Sequence, residues 1–399
     1  MKNRKAAVRF IFVTILLDAI GLGLLIPVLP DVLRRFSSDP SVVSERFGWF
    51  IGVYALMQFG ASPILGSLSD RYGRRSILLG SLLGAALDYL FMAFAPTLGL
   101  LFLGRVISGL TGASMTVASS YMADVSDDSN RSANFGMIGA AWGLGFIIGP
   151  MTGGLLGALG PRIPFLGAAA LNLINFLYGL FVLPESLPEV HRRKIAVREL
   201  NPLSSIVRVL RPSPFVAFVW IYFLVLLAGQ INPVNWTLYT QTKFGWTAWQ
   251  VGLSMAFVGV MITAGHGGLV RVIVPRLGPE RALTLGICVY GAAFALYALA
   301  TRGWMMYAIT LCFAVSGITL PSLQTILGRH TPPDRRGELQ GSLVSLASLA
   351  SILAPFLYTA LFVHFTGQGA PVYFPGAAYL GAAGICLLAL AIRLSSGLR

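Results

Sequence analysis

Apolar residues in this chain gather in long runs, and polar residues fall in short breaks between them. Twelve runs of roughly 20 mostly apolar residues can be traced: 8–30, 47–67, 77–96, 98–120, 133–158, 163–183, 213–235, 246–270, 282–300, 304–327, 338–365 and 373–393. Each is long enough to cross a bilayer as a helix. The short alternating segments of a closed β-barrel do not occur. The pattern predicts an all-α membrane protein of twelve transmembrane helices, with the bilayer as its first partner.

The longest polar interruption is 184–212, "PESLPEVHRRKIAVRELNPLSSIVRVLRP". It divides the chain into residues 1–183, a cytoplasmic linker and residues 213–399, with six spans on each side. Self-similarity crosses it. Arg131, Gly136 and Pro150 recur 205 residues later as Arg336, Gly341 and Pro355, and Arg71 and Gly73 recur as Arg276 and Gly278. "SGLTGA" at 108–113 matches "SGITLP" at 316–321, an offset of 208. Two pseudo-symmetric six-helix bundles imply a transporter that rocks around a site near the bilayer midplane.

Composition agrees. Of 399 residues, 56% are hydrophobic and 11% charged, with a mean hydropathy of +0.76; soluble domains carry about 25% charge. The net charge of +14 would suit nucleic acid, but its placement follows topology. With the N-terminus inside, 22 basic residues fall on inner segments and 6 on outer ones, with Arg105 inside a span. Positive-inside bias therefore places both termini in the cytoplasm and the protein in the cytoplasmic (inner) membrane. The N-terminal run exceeds a signal peptide's apolar core, carries Asp18 and has no cleavage site before Pro27, so it reads as a retained first helix. Cys288, Cys312 and Cys386 lie within spans at unrelated spacings and are expected to be buried packing residues. No P-loop, metal-ligand spacing or nucleophile–base constellation is present. The expectation is a protein without cofactor or metal, not an enzyme, monomeric, and without a nucleic-acid partner.

Charge inside apolar runs marks candidate chemistry. Asp18 lies about 15 Å along its helix, near the midplane; Asp88 has similar depth in span 3, and Arg105 lies in span 4. Ionisable groups in hydrocarbon are costly and by default functional. Carboxylates facing a low-dielectric cavity are suited to binding and releasing protons, with Arg105 tuning them; the competing reading is a static ion pair between Arg105 and Asp18. The polar stretch "GSLSDRYGRRS" (66–76) sets Asp70, Arg71, Arg74 and Arg75 between Gly66 and Gly73, glycines that permit a tight turn. Asp70 is placed to cap the following helix or to pair with arginines or helix ends across the halves, as a latch on the cytoplasmic gate; a solvated positive-inside loop is the plainer alternative. In "GLGFIIGPMTGG" (143–154), Gly143, Gly145, Gly149, Gly153 and Gly154 accompany Pro150, and close helix packing and gating both account for them. Gln58, Gln230, Asn232, Asn235, Trp236, His266, Gln324 and Trp142 are polar or aromatic span residues suited to a drug-sized ligand or to interhelical bonding.

The same stretches carry a family resemblance. "GSLSDRYGRR" resembles the signature loop of the major facilitator superfamily. "GRVISGLTGASMTVASSYMADV" (104–125) and "GLGFIIGPMTGG" resemble the fourth- and fifth-helix motifs of its drug:proton antiporters. "LLDAIGLGLLIPVLP" (16–30), "YALMQ" (54–58), "GAALDYLFMAF" (84–94) and "GQINPVNWTLYTQTKFGW" (229–246) are similar to the twelve-helix tetracycline efflux proteins. The resemblance covers nearly the whole chain and favours Gln58, Gln230, Asn232 and Trp236 as substrate contacts. It implies proton-coupled efflux of an amphipathic small molecule, a tetracycline-like drug first. One departure is in the C-terminal half: Tyr290 stands where that family carries an acid in span 9, and the family's span-8 histidine aligns with Ile262, one turn before His266. Coupling is therefore expected from the N-terminal half. Uncoupled export of a sugar, lipid or metabolite, and a non-transporting receptor or scaffold, remain as other readings.

Overall fold

The structure is a computed structural model that describes residues 2–112, 114–127, 130–192, 216–329, 331 and 336–395. Most of the 184–212 linker lies outside the described residues. Among them the chain is helical and contains no strand. Span 1 is α1 (Lys2–Leu25), followed by the short α2 (Leu29–Arg34); spans 2 and 3 are α3 (Pro40–Tyr72) and α4 (Arg74–Phe94). Span 4 breaks at Gly112 into α5 (Leu98–Thr111) and α6 (Ser114–Val125); α7 (Arg131–Leu159) and α8 (Ile163–Val182) are spans 5 and 6. Span 7 turns at Gln230 between α9 (Val216–Gly229) and α10 (Ile231–Phe244). Span 8 is α11 (Ala248–Ala264), a π turn (Gly265–Leu269) and α12 (Val270–Leu277), and α13 (Pro279–Leu299) is span 9. Span 10 joins α14 (Gly303–Phe313) to α15 (Thr319–Arg329) through a 3₁₀ turn (Ala314–Ile318); α16 (Arg336–Thr366) and α17 (Ala377–Ser395) complete the set.

Eleven helices among the described residues are long and apolar enough to cross a membrane. The twelfth expected span contains α11, whose 17 residues are continued by the π turn and α12. The sequence repeat reappears as backbone. Gly73 and Gly278 both hold positive φ, 97° and 78°, directly before α4 and α13. Pro150 and Pro355 both lie inside long helices. Of the cysteines, only Cys386 is buried; Cys288 and Cys312 are exposed, contrary to the packing role expected for them, because α13 and α14 turn those positions outward.

The helices form two compact units: Met1–Ser38, Val53–Pro202 and Thr247–Ala256, and Asp39–Gly52, Leu203–Trp246 and Phe257–Arg399. In the first, helical spacing aligns Ala7, Ile11 and Ile15 of α1 with Leu78 and Leu82 of α4, Ala118 and Met122 of α6, and Ile138 and Ala141 of α7, all buried. Lipid gives helices no hydrophobic reason to associate, so close packing of small residues does that work. Gly145, Gly149 and Gly153 line one face of α7 against α1, and Gly157 continues that face against Val28 in the turn that follows. A Cβ on Gly149 would lie 2.8 Å from the Ile20 carbonyl, and one on Gly153 would overlap the carbonyl of Leu24. Gly154 faces the start of α11, where a Cβ would sit 3.0 Å from Trp249 Cα. In the second unit, Gly52 of α3 plays the same part against Phe356 of α16.

A backbone carbonyl cannot yield as a flexible side chain does. Gly153→Ala is expected to cost about 2 kcal/mol or more, whereas Gly139→Ala on the same helix meets nothing within 4 Å and is expected to be neutral or slightly stabilising. Thermal unfolding of the two purified variants against the parent checks the contrast.

Candidate functional site

At the α3–α4 corner, Gly73 starts α4 with no side-chain cap of its own. Its first amides are met from 111 residues away. Glu185 Oε1 accepts from the Arg74 amide at 2.9 Å, and Oε2 accepts from the Arg75 amide at 3.2 Å. A carboxylate over a helix N-terminus satisfies orphan donors and the positive end of the dipole together. Asp70 does not cap α4; it pairs with Arg74 Nη1 at 2.5 Å. Arg74 also donates through Nε to Asp124 Oδ2 at 3.2 Å and through Nη1 to Ser69 at 2.6 Å. Arg75 Nη2 donates to the Leu180 carbonyl in the last turn of α8 at 2.7 Å, and Arg71 lies over the ring of Tyr72. All of these groups belong to the first unit. Gly66 abuts Thr116 of α6, where a Cβ would make an ordinary 3.7 Å contact.

The three intramembrane charges share one neighbourhood of that unit. Asp88 and Arg105 are buried, at 3% and 5% exposure; Asp18 is half-buried. The Asp88 carboxylate faces the Ser108 hydroxyl and the Arg105 guanidinium of α5, with no well-formed hydrogen bond to either oxygen among the described residues. The carboxylate lies against α5, where a Cβ on Gly104 would stand 3.2 Å from Oδ1. The Arg105 guanidinium sits 4.7 Å from the centroid of Tyr54, a cation–π distance. Tyr54 and Tyr89 each feel the charges of Asp18, Asp88 and Arg105. Tyr89 reaches α1 one turn beyond Asp18: its hydroxyl would lie 3.6 Å from a Cβ on Gly21, and Asn172 Nδ2 3.5 Å. The acid–acid–arginine grouping is thus wrapped by two tyrosines and an asparagine that spacing alone did not single out. Tyr54 opens the "YALMQ" stretch and Tyr89 follows Asp88, so both lay beside residues already chosen.

Polar span residues named from sequence occupy several settings. Gln58 Nε2 donates to Tyr54 Oη at 3.1 Å and to the Gly112 carbonyl at 2.9 Å, so it fills the break in span 4. Gln230, at the turn in span 7, donates to Ser351 Oγ at 2.6 Å. Asn232 is buried with Oδ1 lacking a hydrogen bond. Trp236 is 2% exposed and packs edge-on against Tyr297 at 5.4 Å. His266 lies in the π turn, where Nδ1 meets the Ile262 carbonyl at 2.9 Å. Ile262, His266 and Tyr290 line one cavity of the second unit.

Comparison with known proteins follows this geometry. The family model described as Major Facilitator Superfamily matches residues 11–355 and 272–395. The chain is 40% identical to the tetracycline resistance protein, class C, of Escherichia coli, over 91% of each chain. It is 38% identical to the class B protein of the same organism, over 90% of this chain and 89% of that one. The crystal structure of a bacterial homolog of the human lysosomal transporter Spinster superposes with a TM-score of 0.79 at 14% identity, covering 99% of this chain and 97% of that one; this likeness speaks for the fold.

Glu185→Gln keeps the shape of the cap and removes its charge. It is expected to cost about 0.5–1 kcal/mol and to speed hydrogen exchange at the Arg74 and Arg75 amides. Glu189→Gln, whose side chain is 85% exposed, is expected to leave both amides unchanged.

Proposed function

Because the chain belongs to the Major Facilitator Superfamily, and shares with the tetracycline resistance proteins about 40% identity over nine-tenths of its length, we propose that it exports a tetracycline-like amphipathic molecule in exchange for protons. It is a multi-pass membrane transporter of small molecules, not an enzyme. The observation that carries the proposal is the buried Asp88 carboxylate, which faces Ser108 and Arg105 without a well-formed hydrogen bond and lies in one electrostatic neighbourhood with Asp18. A buried carboxylate must be compensated. A proton and the Arg105 guanidinium are alternative ways to do so, and two acids beside one arginine leave room for an exchangeable proton. That competition supports Asp18 and Asp88 as the proton carriers and Arg105 as the group that tunes them.

Further features support the rest of the reading. The Asp70–Arg74–Asp124 pairs and the Glu185 cap lock the α3–α4 corner, which fits a gate that holds or releases as a unit. Gly145, Gly149, Pro150, Gly153 and Gly154 supply the close-packed face on which such a unit turns. Gln58, Gln230, Asn232 and Trp236 are the proposed substrate contacts. The basic bias of the inner loops supports a cytoplasmic-membrane protein with both termini inside, and nothing in the reading requires more than one copy.

Tetracycline added to vesicles holding the purified protein is expected to shift internal pH, and Asp18→Asn or Asp88→Asn to remove the shift. Transport that survives both substitutions and collapse of the pH gradient would reject proton coupling. Expression is expected to raise tolerance to tetracycline above tolerance to unrelated dyes; equal protection would reject the substrate class. Fluorescent reporters that fold only in the cytoplasm should light at either terminus.

A further inference from the structure

The three helix irregularities of the second unit meet at one residue. Tyr290, on α13, directs its hydroxyl at Gly229, beside the turn in span 7, where an added Cβ would lie 2.5 Å away. Its ring stacks on Phe313 with centroids 5.3 Å apart and planes 22° from parallel, at the entry to the 3₁₀ turn of span 10. That turn touches the π turn of span 8 directly: a Cβ on Gly317 would be 3.0 Å from the Gly265 carbonyl carbon. Between them lies a cavity of about 50 Å³, lined among others by Ile262, His266, Tyr290, Phe313, Ser316 and Thr319. It holds a few water-sized groups and no whole ring. π turns and broken helices recur at functional sites in membrane transporters.

The hydrogen-bonding inventory of this niche is lopsided. A carbonyl can only accept, so the 2.9 Å contact to Ile262 O calls for a hydrogen on His266 Nδ1, and the tautomer that carries it there presents Nε2 as an acceptor. Ser316 spends its hydrogen on the Phe313 carbonyl and Thr319 on the Ser316 carbonyl, both at 2.6 Å, so each hydroxyl keeps acceptor capacity. Tyr290 Oη makes no hydrogen bond among the described residues and is the one side-chain donor left among the six named. The niche thus offers three acceptors and one donor, a set that a hydroxyl, donor and acceptor at once, satisfies. No lining residue is charged. Elements packed against the π turn, and the starts and ends of their neighbours, add Arg271, Arg276, Arg281 and Arg329, with Glu280 3.8 Å from Arg329. That surplus of positive charge disfavours a cation.

We propose that this niche is a specificity subsite that takes a neutral hydroxyl of the transported molecule, with the O–H donated to His266 Nε2 and the body of the molecule outside the cavity. The inference rests on the export reading for its occupant and adds to it one required group, an uncharged hydroxyl. The His266 imidazole folds back over the preceding turn, to the carbonyl of Ile262.

The test is equilibrium binding to the purified full chain, read by intrinsic tryptophan fluorescence with three matched probes: 2-naphthol, 2-methoxynaphthalene and 1-naphthylmethylammonium. The parent is expected to prefer 2-naphthol to its methyl ether by about tenfold, the order of one well-made hydrogen bond. His266→Leu should bring the ratio near one, and His266→Gln, which restores an acceptor, should recover much of it. An unchanged ratio in His266→Leu would overturn the proposal, as would tightest binding of the ammonium or no saturable binding of any probe. Binding needs no proton gradient, so failed export in vesicles would count against the transport reading, while the probe ratio decides the subsite alone.

Discussion

Hydrocarbon offers no hydrogen bonds, so every backbone amide, carbonyl and charge carried into the bilayer must find its partner within the protein. This constraint governs where the helices are allowed to break. The carbonyl freed at Gly112 in span 4 is taken by Gln58 from α3. Around the irregular turns of spans 8 and 10, His266, Ser316 and Thr319 fold back onto carbonyls of their own segments. Each of these breaks is therefore bought with a polar side chain. Structural bonding and ligand contact are not rival roles at these positions, because a hydroxyl or imidazole that donates to the backbone still presents lone pairs.

The two repeats answer the constraint differently. At the 205-residue offset Asp18 and Asp88 correspond to Phe223 and Ala293, and at the 208-residue offset of span 4 Arg105 corresponds to Phe313. The first unit carries charge and wraps it with Tyr54, Tyr89 and Asn172. The second carries none at those places and fills the region with rings: Tyr297 bonds Thr310 at 2.7 Å and packs against Trp236, Phe313 and Tyr379. One backbone plan thus supports an ionisable centre in one copy and a neutral, aromatic, acceptor-rich niche in the other. Proton chemistry and recognition of an uncharged group make opposite demands on local dielectric and charge, and the proposed function would separate them between the copies.

Much of this was legible in the chain, for reasons that particular residues make clear. Spans are set by local composition, and the repeat by paired marks such as Gly73 with Gly278, whose positive φ demands the same residue twice. The role of the glycines in 143–154 was readable only as a choice between packing and gating, since what faces Gly149 and Gly153 is a neighbouring helix. Glu185 left no trace as the cap of α4: it lies 111 residues from Arg74, in a stretch that reads as linker. Asp70 was the nearer acid and the natural guess, but Arg74 engages it. The π turn was equally hidden, because nothing in "AGHGGLVR" separates five-residue from four-residue backbone bonding, and its Gly265 acts through contact with Gly317. Local pattern fixed the elements; the long-range partners that distinguish cap from latch needed the fold.

The close packing of the first unit also constrains how a proton can be coupled to movement. Asp18 directly precedes Ala19 and Ile20, and both of these press on the glycine face of α7. On the other side, Gly179 of α8 admits Phe10 of α1 and Leu79 of α4 at 2.6 and 2.8 Å from where a Cβ would stand. Helix α1 is thereby clamped to α7, α8 and α4 through contacts that offer little room to slide. Asp18, Asp88 and Arg105 then ride on a common frame, and a change of state that moves this frame as a body leaves their mutual distances nearly fixed. What such a change alters is access: which aqueous side reaches the carboxylates, and whether a bound molecule shields them. Coupling in that case follows from proton and guanidinium competing for the same acids inside a stiff cage, with the outcome read by whichever compartment the cage faces.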